Sequence, residues 1–170
     1  MEISSESQKR HTLAVLVDNR PGVLARVTTL ISGRGFNIDS LSVAATMEPD
    51  VSLITLIISV SPKFVSQIIK QLRKLINVIK VTDLTQMDYV ERQLVMVRVR
   101  TQEDTRAEIM RLCEIFRGKV IDVSPKSFTL EITGGENKLK AVLSLLDQFG
   151  IEEIVSTGLT AIARSLPPKR

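Results

Sequence analysis

HTLAVLVDNRPGVLARVTTLI, residues 11–31, passes from one kind of secondary structure to another within four residues. The β-branched and apolar run 11–18 predicts a strand, and the turn-forming cluster Asn19-Arg20-Pro21-Gly22 stops it. From there the apolar residues fall at Val23, Leu24, Val27, Leu30 and Ile31, the spacing of one helical face, and Gly33 and Gly35 close the helix. Residues 36–45 (FNIDSLSVAA) then alternate as a half-buried strand that ends at the turn Glu48-Pro49-Asp50. A third strand follows over 51–60. Pro62 suits the first turn of a second helix, whose buried stripe is expected at Val65, Ile68, Ile69, Leu72 and Ile76. Residues 78–84 make a fourth strand. The order is βαββαβ.

The second half repeats that order with different residues. Residues 93–100 (QLVMVRVR) predict a strand, Thr101 and Asp104 a capping box, and Ile109, Leu112, Cys113 and Phe116 a helix that Gly118 ends. Residues 120–123 and 128–133 form a hairpin around Ser124-Pro125-Lys126-Ser127. Gly134-Gly135 opens a helix with Leu139, Val142, Leu143, Leu146 and Phe149 inward, and 154–163 is a last strand. The chain thus divides into a flexible N-terminus 1–10, a domain 11–84, a linker 85–92 and a second domain 93–170. The fold class is α+β: two ferredoxin-like βαββαβ sandwiches, each an antiparallel sheet with both helices on one face and strands one and three central. Units of about 80 residues bury only about 60% of their unfolded surface. In the first, Leu53 and Ile57 face away from the helices, so that sheet face is apolar as well and suggests oligomerisation or domain packing.

Composition removes whole classes of chemistry. The chain has 170 residues, 44% hydrophobic, with one His and one Cys. It cannot build a His or Cys metal cluster, a zinc site or an internal disulfide, and Cys113 reads as a small buried hydrophobe in a reducing compartment. No apolar run approaches the roughly 18 residues of a membrane span, and MEISSESQKR lacks the apolar core of a signal peptide, so a cytoplasmic location is expected. The sequence pI of 9.4 is a weak pointer to nucleic acid. Ten basic residues face seven acidic ones in 1–84 and thirteen face twelve in 85–170, dispersed rather than gathered, with one Tyr and five Phe for base stacking. Neither nucleic acid nor membrane is an expected partner.

Catalytic motifs are missing too. There is no GxSxG, P-loop or GxGxxG, and Ser32-Gly33-Arg34-Gly35-Phe36 follows a helix rather than a strand. His11, at the start of the first strand, has no nucleophile beside it in sequence and reads as a strand-end polar residue. The carboxylates are scattered and nominate no acid/base pair. What remains is Asn19-Arg20-Pro21-Gly22-Val23-Leu24. Gly22 lets a ligand approach the backbone, and the first-turn N–H groups carry the positive end of the helix dipole, a place suited to a small carboxylate. The same residues also read simply as a Pro-Gly turn capping a helix.

Residues 18–46, DNRPGVLARVTTLISGRGFNIDSLSVAAT, closely resemble the amino-terminal motif of the small regulatory subunits of acetohydroxyacid synthase, an ACT-domain family. IIKQLRKLINVIKV (68–81), VERQLVMVRV (90–99), EIFRGKVIDVSP (114–125) and TGGENKLKAVLSLL (133–146) resemble its later segments in order. The resemblance implies a non-catalytic partner of a large catalytic subunit, which it activates and makes sensitive to valine or another branched-chain amino acid. Thiamine diphosphate, Mg2+ and FAD are then expected on the large subunit; this chain has no Gly-Asp-Gly thiamine-diphosphate motif. The resemblance also implies a homodimer paired through the second strands of two ACT domains, with the effector at that interface. Asn19 and Asn37 would hold its polar groups, the backbone at Gly22, Val23 and Leu24 its carboxylate, and Asn37, Ile38 and Ala44 would lie on the shared edge. Two rivals need features the sequence does not display: a transcriptional amino-acid sensor needs a helix-turn-helix, and a small enzyme needs clustered titratable groups.

Overall fold

The structure is a computed structural model that describes residues 8–164; the N-terminal segment expected to be flexible lies, over residues 1–7, outside them. By contacts the described chain forms two units, residues 8–90 with 159–164, and residues 91–158.

The first unit runs β1 (Lys9–Asp18), α1 (Val23–Ser32), β2 (Ser40–Ala45), β3 (Val51–Val60), α2 (Pro62–Leu72) and β4 (Val78–Asp83). Its sheet has the order β2-β3-β1-β4 and is antiparallel throughout. Strands one and three are central, as the βαββαβ pattern requires, and β2 is an open edge. Strand period two explains the core: Leu13 lies opposite Leu56 and Val15 opposite Ile54. These residues, with Val17, Ile58 and Val60, pack against Val23, Val27 and Ile31 of α1 and Val65, Ile68 and Leu72 of α2.

Several local expectations are corrected. β2 begins at Ser40 rather than 36, because Phe36 and Ile38 turn inward onto the core before the chain can pair. α2 ends at Leu72, so Ile76 falls outside the helical phase and is 91% exposed. Over the expected linker, residues 85–92, a 3-10 turn (Leu84–Gln86) leads into β5 (Tyr89–Arg100). Leu84, Met87 and Tyr89 pack with Ile57, Ala14, Leu159 and Ala161 on the sheet face away from the helices. The last strand divides into β8 (Ile151–Ser156) and β9 (Thr160–Ala163). β9 pairs with β5, and residues 159–164 cluster with the first unit rather than with the second. The apolar outer face anticipated from Leu53 and Ile57 is therefore covered in part by this chain's own tail.

The second unit holds most of β5, then α3 (Arg106–Ile115), β6 (Lys119–Val123), β7 (Ser127–Gly134), α4 (Glu136–Asp147) and β8. The sheet order is β6-β7-β5-β8. Val95, Val97 and Val99 face Phe128, Leu130 and Ile132, with Ile109, Cys113, Leu139, Val142 and Leu146 from the helices. Burial, and then the Glu114 charge, raise the Cys113 thiol above its ordinary pKa, which keeps it an inert buried hydrophobe. The expected capping box does not form. α3 starts at Arg106, the Thr105 hydroxyl accepts the Gln102 N–H at 2.9 Å, and the buried Thr101 hydroxyl has no partner. The face of this sheet away from its helices mixes charge with apolar side chains: Arg98 pairs with Glu153, Arg100 with Glu152 at 3.4 Å, and Met96 and Val155, opposite one another, are exposed. Among the described residues, no helix is long and apolar enough to cross a membrane.

Candidate functional site

The turn between β1 and α1 is built by Gly22, whose φ of 82° lies in the left-handed region. No atom comes within 4 Å of where its Cβ would stand. It is the N-cap of α1, and no side chain caps that end; the first turn holds no acidic residue. Val23 N–H closes a long turn bond of 3.3 Å to Arg20 O, whereas Gly22 and Leu24 N–H meet no acceptor among the described residues. Val23 itself is buried and Leu24 is 39% exposed. Two unspent N–H groups at a positive helix end, on exposed residues, can receive a carboxylate. Arg26, one turn further on, is held by Asn77 Oδ1 at 2.8 Å.

Asn19 is fastened to the β2–β3 turn: its backbone N–H donates to Asp50 O at 2.7 Å and its Nδ2 to Pro49 O at 2.9 Å. One of the two side-chain N–H donors is thus spent on the turn, and Oδ1 remains free to accept from an ammonium group. Asn37 and Ile38 lie in the loop before β2, not on the strand. Ile38 is half-buried against the core, while Asn37 is exposed and donates to Asp39 Oδ1 at 3.2 Å. Asp39, which no sequence motif singles out, also accepts from Ser59 Oγ at 2.6 Å. Its only signal is the Asn-x-Asp spacing. Ala44 is on the open edge opposite Leu53, so its methyl points to the face away from the helices. There it lines a pocket of 580 Å3 with Leu53, Thr55 and Thr160.

Apart from Ala44 on β2, these residues form two groups within one chain. Asn19, Gly22, Val23 and Leu24 gather at the start of α1, and Asn37 and Ile38 lie beyond its end. α1 has ten residues, so it separates the groups by about 15 Å at 1.5 Å per residue, more than one amino acid spans.

The corresponding crossing in the second unit is different. Thr101–Thr105 contains no Pro-Gly, and the first turn of α3 holds Glu108; α4 likewise starts with Glu136, paired to Lys140 at 2.6 Å. His11 is not a simple strand-end polar residue. It is 3% exposed, neither ring nitrogen has a hydrogen-bond partner, and Nδ1 stands 4.0 Å from Asp83 Oδ2. Among the described residues no three His, Cys, Asp or Glu converge as metal ligands.

Two family descriptions match successive parts of the chain. Residues 13–80 match the family described as the AHAS small subunit-like ACT domain, and residues 92–165 match the family described as the small subunit of acetolactate synthase. The acetolactate synthase small subunit of Aquifex aeolicus is 44% identical over 169 residues, covering 99% of this chain and 88% of that one. That of Mycolicibacterium smegmatis is 46% identical over 160 residues, 94% of each chain. The crystal structure of the acetolactate synthase small subunit from Thermotoga maritima superposes with a TM-score of 0.84 at 41% identity, over 94% of this chain and 99% of that one. With both halves matched and identity above 40% along nearly its whole length, the chain belongs to the acetolactate synthase small-subunit family, its first unit an ACT domain.

Proposed function

We propose that this chain is the non-catalytic regulatory subunit of acetohydroxyacid synthase. It binds the thiamine-diphosphate-dependent catalytic subunit, raises its activity, and makes it subject to feedback inhibition by a branched-chain amino acid, valine foremost. Thiamine diphosphate, Mg2+ and FAD belong to the catalytic chain, and the pair works in the cytoplasm. The observation that carries the reading is the uncapped start of α1, where Gly22 and Leu24 N–H are unspent and no acid competes for them.

The effector site is completed by a second copy of this chain. One α-amino acid cannot reach both ends of α1, yet β2 is an open edge, with Asn19 and Ala44 toward one end and Asn37 and Ile38 toward the other. Two β2 edges paired antiparallel about a two-fold axis bring the Asn37 of one copy toward the Asn19 of the other. The carboxylate is then received by the Gly22 and Leu24 N–H groups, the ammonium by the Asn19 and Asn37 side-chain oxygens, and the isopropyl group by apolar side chains, so each polar group has a partner. A ligand shared between copies favours one dimer arrangement, and that preference is what reaches the catalytic subunit.

Reconstitution tests this. The purified chain alone forms no acetolactate from pyruvate with thiamine diphosphate, Mg2+ and FAD. Added to the catalytic subunit it raises the rate, and valine lowers the rate of the complex but not of the catalytic subunit alone. Turnover by this chain alone, or indifference of the complex to branched-chain amino acids, overturns the reading.

A further inference from the structure

The two segments that build the helix layer of the first unit, 19–38 and 61–77, contain no Asp or Glu. The first carries Arg20, Arg26 and Arg34, the second Lys63, Lys70, Arg73 and Lys74, all of them exposed. Arg34, Lys70, Arg73 and Lys74 line one groove of 540 Å3, and Lys74 and Arg26 line the adjoining one of 270 Å3 with Ile76. The acids that flank the first segment are Asp18, which accepts from Asn77 Nδ2 at 2.9 Å, and Asp39, occupied by Ser59 and Asn37; those nearest in sequence to the second are Asp50 and Asp83.

Helix stability does not account for this. Cations favour helix C-termini, which covers Lys70 and its neighbours, but at N-termini the dipole calls for acids. Neither α1 nor α2 has one in its first turn, and α2 holds Lys63 there. The helices of the second unit follow the ordinary rule, with Glu108 and Glu136 in their first turns and both signs along their length. One-signed charge is thus confined to one layer of one unit.

We infer that the α1/α2 face of the first unit docks an acidic protein surface, and that this surface is on the catalytic subunit. The inference rests on the regulatory reading above and names the face it uses. A protein is favoured over nucleic acid because exposed apolar side chains stand among the cations, Ile76 at 91% and Leu24 at 39%, as in an interface with an apolar centre and a charged rim. The aromatic on this face, Phe64, is held against Phe36 with ring centroids 5.3 Å apart and does not offer a free platform for a base.

The test reverses charge away from the effector residues, in the full chain: Lys70→Glu with Lys74→Glu, and the milder Lys70→Gln with Lys74→Gln. Affinity for the purified catalytic subunit is measured at about 50 mM and about 500 mM salt, since charges more than a Debye length apart are screened at the higher concentration. The wild-type complex weakens by about tenfold or more between the two. The Glu pair weakens it by about tenfold or more at low salt, the Gln pair by less, and the gap narrows at high salt. Thermal unfolding and valine binding by the variants match the wild type. A wild-type chain that binds while the Glu pair binds equally well at low salt overturns the docking face alone. A wild-type chain that never binds the catalytic subunit overturns the regulatory reading with it. Tighter binding of a single-stranded oligonucleotide than of the catalytic subunit, lost in the Glu pair, overturns the choice of a protein partner.

Discussion

Replacing Gly22 by Asp and, separately, by Ala distinguishes an electrostatic effector site from a merely structural turn. At φ 82°, with no atom within 4 Å of a built Cβ, both side chains fit and both bear left-handed backbone strain, about 1–2 kcal/mol for a typical residue and less for Asp. In a domain of this size each kcal/mol lowers the unfolding midpoint by roughly 4–8 °C, so the two variants lose similar, survivable amounts of stability. They differ in charge. Gly22→Asp sets a carboxylate before the unspent N–H groups, and an effector carboxylate about 4 Å away meets a repulsion of about 1 kcal/mol in bulk water and about 4 kcal/mol at an effective dielectric of 20. Those limits correspond to valine affinity reduced by roughly fivefold and by roughly a thousandfold. Closure of the site by a second copy moves the result toward the larger figure. Calorimetric titration of valine into each variant reads the affinity directly. Inhibition curves of the reconstituted enzyme are expected to follow it, with activation retained. If Gly22→Asp binds valine within about twofold of Gly22→Ala, the effector's carboxylate does not sit at the start of α1 and the argument fails.

Gly118→Ala places a Cβ 2.9 Å from Ile132 Cγ1 and 3.0 Å from both Cys113 Sγ and Glu131 O. It is expected to cost about 1–3 kcal/mol by overpacking in urea unfolding; Gly135→Ala, whose nearest neighbours stand at 3.9 Å, serves as the near-neutral comparison. Leu159 is 3% exposed against Ile57, Leu84 and Ala161, so Leu159→Ala should lower stability by about 2–5 kcal/mol, and an unchanged transition would deny the tail its place on the first sheet. For Cys113 the raised pKa means that the folded chain keeps a proton the unfolded chain releases above about pH 8.5. Its contribution is whole below that pH and lost as pH rises through the folded value. Urea midpoints measured from about pH 7.5 to about pH 10.5 should fall less steeply in Cys113→Ala than in the wild type.

Much of the fold is readable residue by residue. β3 occupies Val51–Val60 as expected and α1 starts at Val23, because alternation, the 3.6-residue stripe and the Pro-Gly turn are properties of neighbouring residues. The misreadings lie where local pattern and three-dimensional packing part. Ile76 continues the α2 stripe on paper, yet the helix has already ended. His11 is polar and near the terminus, yet β1 continues through it and places it opposite Ile58. Thr101 and Asp104 have capping-box spacing, yet the chain needs four more residues before α3 starts. In the candidate site, Gly22 and the free first turn are legible as a turn and a helix start. That Asn19 spends a side-chain donor on Pro49 O is not, because this bond joins residues 30 apart.

The sequence by itself determined the doubled βαββαβ order, the Pro-Gly turn before α1 and the absence of acids from both helices of the first unit, since each is written in residue type and short spacing. Tertiary structure alone decided that residues 159–163 return to cover the first sheet, where Leu159 N–H reaches Ser40 Oγ across 119 residues of chain. It alone fastened the Asn19 side chain to Pro49 O and gathered Arg34 with the lysines of α2 into one groove. Such placements depend on which elements pack together, a choice made by burial of the whole apolar surface rather than by any local stretch of residues.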